Sequence, residues 1–120
     1  MNVIVLDTCA FLTQKHPNGE FATVPGIKNE IVNKQSKQYF ENMLATNLKI
    51  MKAEKSSYEI VQKQAKETGD FDVLSRVDID IIALGYQCKG TIITDDFAIQ
   101  NTALALSLIH ISEPTRPDEI

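Results

Sequence analysis

Short β-branched apolar runs alternate with longer helix-patterned segments along most of this chain. VIVL (Val3 to Leu6) is short, apolar and β-branched, the pattern of a buried strand. FATVP (Phe21 to Pro25), KIMKA (Lys49 to Ala53) and GTIIT (Gly90 to Thr94) read as further short strands. The segments between them carry helical spacing. CAFLTQ follows the first strand, with Thr8 placed to cap it. KHPNGE (Lys15 to Glu20) is a turn-rich loop. IKNEIVNK has Ile27, Ile31 and Val32 at helical spacing, and SKQYFENMLATNL puts Tyr39, Phe40, Met43 and Leu44 on one side. SSYEIVQKQAKETGD opens on capping serines and stops at Gly69. VLSRVDIDIIALGYQC carries an apolar stripe at Leu74, Val77, Ile81, Leu84 and Cys88, and DFAIQNTALAL is a last helix. The order β-α-β-α-α-β-α-α-β-α predicts an α/β domain: a central parallel β-sheet flanked by helices on both faces. Such sheets keep their chemistry beyond the carboxyl ends of the strands.

The 120 residues, 43% hydrophobic and 23% charged, suit one domain with a modest core. No apolar run approaches the roughly 20 residues of a membrane span. MNVIVLD has too short an apolar run for a signal peptide. Cys9 and Cys88 lack paired metal-ligand spacing, so they read as free thiols in a reducing, cytoplasmic compartment. The formal net charge of −4 means that a polyanionic partner needs local basic patches or a bound cation.

The C-terminal stretch stands apart. LSLIHISEPTR (Leu106 to Arg116) closely resembles the translation of a transposase adapter used in sequencing libraries. The expectation is that residues 1–105 form the domain and residues 106–120 are a non-native tail. His110, Glu113, Arg116, Asp118 and Glu119 then carry no function. Without that tail, which holds three acids and one arginine, the net charge is −2.

Carboxylates gather at the predicted carboxyl edge of the sheet. Asp7 follows the first strand, Glu30 lies about one turn into the helix after the second, and Asp95 and Asp96 follow the last. The long helix offers Asp78 and Asp80, on opposite edges of its apolar stripe, and periodicity does not choose between them. Singly, each has a plain structural account: Asp7 as a helix cap, Glu30 as a solvated surface charge, one of Asp95 and Asp96 as a cap. Converging carboxylates repel one another, more so when buried, and a hard divalent cation relieves the repulsion.

VLDTCAF, VPGIKNEI, SRVDIDIIALG and ITDDFAIQN together resemble the PIN-domain ribonucleases over nearly all of residues 1–105. In that family the third acid precedes a helix alanine by five residues, which matches Asp78 and Ala83. The last acid follows a threonine by two, which matches Thr94 and Asp96. TGDFDVLSRVDIDIIALGYQ and TDDFAIQN are most similar to the Nob-type endonucleases, which trim the 3′ end of small-subunit ribosomal RNA. Those enzymes generally carry a zinc ribbon after the PIN domain. This chain has none, so zinc is expected only in a missing C-terminal segment.

The resemblance implies a metal-dependent endoribonuclease. Asp7, Glu30, Asp78 and Asp96 would be its catalytic acids and would bind Mg²⁺ or Mn²⁺. Thr8, Thr94 and Asp95 would be auxiliary, and Lys15, Lys28 and Lys34 would grip the RNA backbone, with His16 beside Lys15. The expected partners are precursor small-subunit rRNA in a pre-ribosomal particle and a ribosome-assembly protein. A toxin-type PIN ribonuclease of a toxin–antitoxin pair is the nearest alternative, and a catalytically idle RNA- or protein-binding PIN scaffold is another. A phosphate-receiver domain needs an aspartate ending its middle strand, where this chain has KIMKAEKS. A D-x-D phosphatase needs an aspartate where Cys9 stands.

Overall fold

In a computed structural model, which describes residues 3–106 and 110–112, the chain forms a five-stranded parallel sheet in the order β3-β2-β1-β4-β5. The strands are β1 (Val3–Leu6), β2 (Glu20–Thr23), β3 (Leu48–Ile50), β4 (Thr91–Ile93) and β5 (His110–Ser112). The helices are α1 (Thr8–Thr13), α2 (Lys34–Leu44), α3 (Lys55–Thr68), α4 (Arg76–Cys88) and α5 (Phe97–Ala105). Two 3₁₀ segments, Pro25–Asn29 and Phe71–Val73, complete the path. β1 is central and pairs with β2 on one side and β4 on the other. The chain moves outward from β1 to β3, then crosses back to β4. The strand order therefore reverses beside β1, where an open α/β sheet leaves a crevice at its carboxyl edge.

Helices cover both faces. α3, α4 and α5 pack together, with α4 laid over β1 and β4, while α1 and α2 pack against each other, β1 and β3. α4 is the most enclosed helix: Ile79, Ile81, Ile82, Ala83, Leu84 and Gly85 are all buried. Phe11 packs edge-on against Phe40 at 5.2 Å, tying α1 to α2. Loss of apolar surface to this shared core, rather than local propensity, holds such short strands in place.

Several local readings differ. The serines of SSYEIV do not cap α3, which starts at Lys55 behind Glu54 with no side-chain capping bond. The stretch IKNEIVNK is not an α-helix. Pro25 opens a 3₁₀ segment, Asn33 then caps α2 through the Ser36 N–H, and Val32 is 76% exposed while Ile27 and Ile31 are buried. The tight 3₁₀ path lets Gly26 sit against Val77, where a Cβ would come within 2.7 Å of Cγ2. The third strand is shorter than KIMKA and starts one residue earlier. Residues 110–112, inside the stretch expected to be a foreign tail, pair with β4 as an edge strand. Glu113, Arg116, Asp118 and Glu119 lie outside the described residues.

Candidate active site

The strand ends bring Asp7 and Thr94 side by side. Asp7 follows β1 and is 6% exposed, and Thr94 follows β4 and is fully buried. The Thr94 hydroxyl donates to Asp7 Oδ2 at 2.8 Å and accepts the Asp96 N–H at 3.1 Å. One hydroxyl therefore sets the positions of two carboxylates from opposite ends of the chain. Beneath them, the buried Thr23 hydroxyl donates to the Leu6 carbonyl, fixing the end of β1 to β2.

The other two acids come from the flanking elements. Glu30 does not lie inside a helix as the sequence suggested: it ends the first 3₁₀ segment, where the chain turns before α2. The Thr8 hydroxyl donates to Glu30 Oε1 at 2.5 Å, so Thr8 anchors an acid instead of capping α1. Asp7 occupies the N-cap position of that helix but makes no capping bond. Asp78 sits in the first turn of α4 within a reciprocal capping box. Its Oδ2 accepts the Ser75 N–H at 2.9 Å, and the Ser75 hydroxyl oxygen accepts the Asp78 N–H at 3.1 Å.

Asp96 plays both parts that the sequence divided between two aspartates. It caps α5, Oδ1 accepting from the Ala98 N–H at 2.9 Å and the Ile99 N–H at 3.4 Å, and it stands beside the other acids. Asp95 is exposed and lies next to the Cys9 thiol. Burial first, then the neighbouring Asp7 and Asp95 carboxylates, push that thiol up to about 12, so Cys9 stays neutral.

The charges acting on Asp7 and Asp78 come from the neighbouring acids. Burial raises Asp7 from its ordinary 3.8 to about 6; the Thr94 hydrogen bond opposes the rise, and Asp78 and Glu30 add to it. Burial also raises Asp78, Ser75 opposes, and Asp96 and Glu30 add to the rise. Asp80 has different company. Burial raises it as well, but Arg76 and Lys52 pull it back. Asp78, not Asp80, is therefore the α4 carboxylate whose charge meets those of Asp7, Glu30 and Asp96.

One oxygen of each of the four carboxylates is occupied in holding its position, by Thr94, Thr8, Ser75 or the start of α5. Among the described residues no three acidic, histidine or cysteine side chains close around a point tightly enough to enclose a cation. The donors are hard oxygens in an open arrangement. That chemistry suits Mg²⁺ or Mn²⁺, which keep several waters, and does not suit a closed all-protein cage.

Lys15, Lys28 and Lys34 are exposed on three different segments, and Lys28 lines a small hollow with Ile31, Lys37 and Phe40. His16 is engaged internally, with Nε2 hydrogen-bonded to the Tyr39 hydroxyl and its ring edge-on to Phe21 at 4.7 Å.

Sequence reasoning missed Asp70. Its Oδ2 accepts from the Thr68 hydroxyl at 2.6 Å, the Asn101 amide at 2.7 Å and the Thr102 hydroxyl at 3.1 Å. These bonds tie the end of α3 to α5, the helix that Asp96 caps, and hold the Asp70 carboxyl below its ordinary range. The available signal was the GD dipeptide together with the FAIQN motif, whose ends the fold joins.

Comparisons with known proteins agree with this fold. A family model described as the PIN domain of ribonuclease matches residues 4–88. Endoribonuclease Nob1 of Archaeoglobus fulgidus is 34% identical over 90% of this chain, which spans 66% of that protein's length. Ribonuclease VapC1 of Thermoplasma acidophilum is 32% identical over 88% of this chain and 55% of its own length. The crystal structure of FitAcB from Neisseria gonorrhoeae superposes with a TM-score of 0.59 at 17% identity, covering 95% of this chain and 99% of that one, a likeness of fold. With sequence motifs, sheet topology and family match in accord, the chain belongs to the PIN-domain ribonuclease family.

Proposed function

We propose that this domain is a Mg²⁺- or Mn²⁺-dependent endoribonuclease of the Nob type, maturing the 3′ end of small-subunit ribosomal RNA in the cytoplasm. The observation that carries the reading is the gathering of four carboxylates at the strand-order reversal, where Thr94, Thr8, Ser75 and the start of α5 hold them, and where burial and the neighbouring acids raise Asp7 and Asp78. Proteins tolerate such a cluster when a cation neutralises it. Asp7, Glu30, Asp78 and Asp96 would hold that ion, which when bound acidifies water and neutralises phosphate charge. Thr94 keeps Asp7 and Asp96 in register, and Thr8 holds Glu30 toward them. Asp95 is an auxiliary acid at the rim, and Lys15, Lys28 and Lys34 meet the RNA backbone farther out. Residues 1–105 carry the function and residues 106–120 contribute none. The natural full-length protein would add a zinc ribbon and act on precursor rRNA in the pre-ribosomal particle, alongside a ribosome-assembly protein.

The likeness to VapC1 supports a second reading, a toxin-type ribonuclease held by an antitoxin. The natural full-length protein, incubated with precursor small-subunit rRNA and Mn²⁺, should make one cut at the mature 3′ end, leaving a 3′-hydroxyl. Cuts scattered over unrelated RNAs, with growth arrest on expression, would overturn the Nob-type reading in favour of the toxin.

A further inference from the structure

A second hollow lies across the first turn of α4 from the acids, with a volume of about 550 Å³. Its lining includes Pro25, Lys52, Lys55, Tyr58, Arg76 and Asp80. The Arg76 guanidinium stands over the Tyr58 ring at 4.9 Å. Arg76 and Asp80, four residues apart, share one face of α4, while Asp78 lies about 200° around the helix from each. Val77, between Arg76 and Asp78 in the first turn of α4, packs on Gly26 of the groove wall. Asp80 lies near Arg76 and Lys52, and its charge is engaged by theirs. Glu59 is the other carboxylate on the wall, set against Lys52, Lys55 and Arg76.

We propose that this groove binds a nucleotide adjoining the scissile phosphate of a single RNA strand. The base stacks on the Tyr58–Arg76 pair, and Lys52 and Lys55 take the neighbouring phosphates. The assignment rests on the nuclease reading above. Two chemistries in the groove point to it: a planar aromatic–guanidinium face, which any base can stack on, and cations placed for a polyanionic backbone. The shared first turn of α4 makes one strand able to reach both places, Asp78 facing the cut and Arg76 facing the groove. These cations come from the end of β3, the start of α3 and the start of α4, so no basic run in the sequence announces them.

The test is fluorescence anisotropy with a labelled oligouridine of about ten nucleotides, in EDTA and low salt so that nothing is cut. Tyr58→Ala should weaken binding by about tenfold and Tyr58→Phe should stay within about twofold, because stacking needs the ring and not the hydroxyl. Lys52→Ala should lower the slope of log Kd against log salt by about 0.7, the share of one phosphate contact on a single strand. Parent-like binding by both Tyr58→Ala and Arg76→Ala, each folded by circular dichroism, overturns the proposal, and so does a parent chain that does not bind. A fragment of precursor small-subunit rRNA spanning the 3′ cleavage site, with Mn²⁺, separates the two readings. If the parent binds through the groove and never cuts, the nuclease reading falls and the groove stands. If the parent cuts and Tyr58→Ala cuts with the same KM, the groove falls and the nuclease stands.

Discussion

Asp7→Asn should cut RNA on the order of 10³-fold more slowly than the parent, or not measurably, and should be the more stable protein at neutral pH without cations. Both effects have one cause. Asp7 is buried at the end of β1 among other carboxylates, and its pKa rises from 3.8 to about 6 on folding. Between those values the folded chain holds a proton that the unfolded chain has released. Stability therefore falls as pH rises from about 4 to 6, by on the order of 3 kcal/mol, and the deficit persists above that window. Asparagine never ionises, yet its side-chain oxygen can still accept the Thr94 hydroxyl. Urea denaturation in EDTA should show the two proteins converging near pH 4 and the variant ahead at pH 7.5. Parallel pH profiles would contradict the placement of Asp7. Mn²⁺ should then raise the melting temperature of the parent, by about 2.7 kcal/mol of stability at a hundredfold excess over Kd, and raise the variant's much less.

The largest structural effect is expected at Gly90. A Cβ there would lie 2.2 Å from the Val3 carbonyl oxygen, a backbone atom. Val3 cannot retreat, because it pairs with Glu20 in the ladder between β1 and β2. The Gly90 N–H also donates to the Gly85 carbonyl at 3.1 Å, closing the end of α4. Gly90→Ala should therefore cost about 3 kcal/mol or more. Gly69 makes the control. It has a φ of 83° but open space around it, so Gly69→Ala strains only its own backbone, at about 1 kcal/mol. Urea midpoints of the two variants measure the difference. Equal losses would mean that β4 does not approach β1 as closely as described.

Much of this was legible in the sequence because the signals are local. VIVL and GTIIT are β-branched runs that suit a buried parallel strand, and Gly69 is a stop residue whose chemistry acts within a few positions. What escaped depends on tertiary contact. Ile27 and Ile31 have helical spacing, yet the contact of Gly26 with Val77 selects a 3₁₀ path and leaves Val32 in solvent. Thr8 looked like a cap, but its hydroxyl meets Glu30, 22 residues away. Local signals could not tell Asp95 from Asp96, and the family resemblance selected Asp96, which both caps α5 and lies near Asp78. Asp70 was invisible as a clamp, since Asn101 and Thr102 lie more than thirty positions further along the chain. The choice of Asp78 over Asp80 came from family resemblance. In the fold Asp78 lies near Glu30 and Asp96, while Asp80 lies near Arg76 and Lys52.

The central claim is that four converging carboxylates make a cation-dependent RNA-cutting site, and cutting of a labelled RNA spanning the 3′ end of precursor small-subunit rRNA as Mn²⁺ is titrated tests it most directly. Asp78→Asn keeps the oxygen that accepts the Ser75 N–H, so the start of α4 survives while the charge is lost. Asp72→Asn removes an equal charge from an exposed position in the Phe71–Val73 segment. The account predicts Mn²⁺-dependent cutting by the parent and by Asp72→Asn, and loss of about 10³-fold or more in Asp78→Asn at every Mn²⁺ concentration. Cutting by Asp78→Asn at the parent's rate, or cutting by the parent in EDTA, would contradict it.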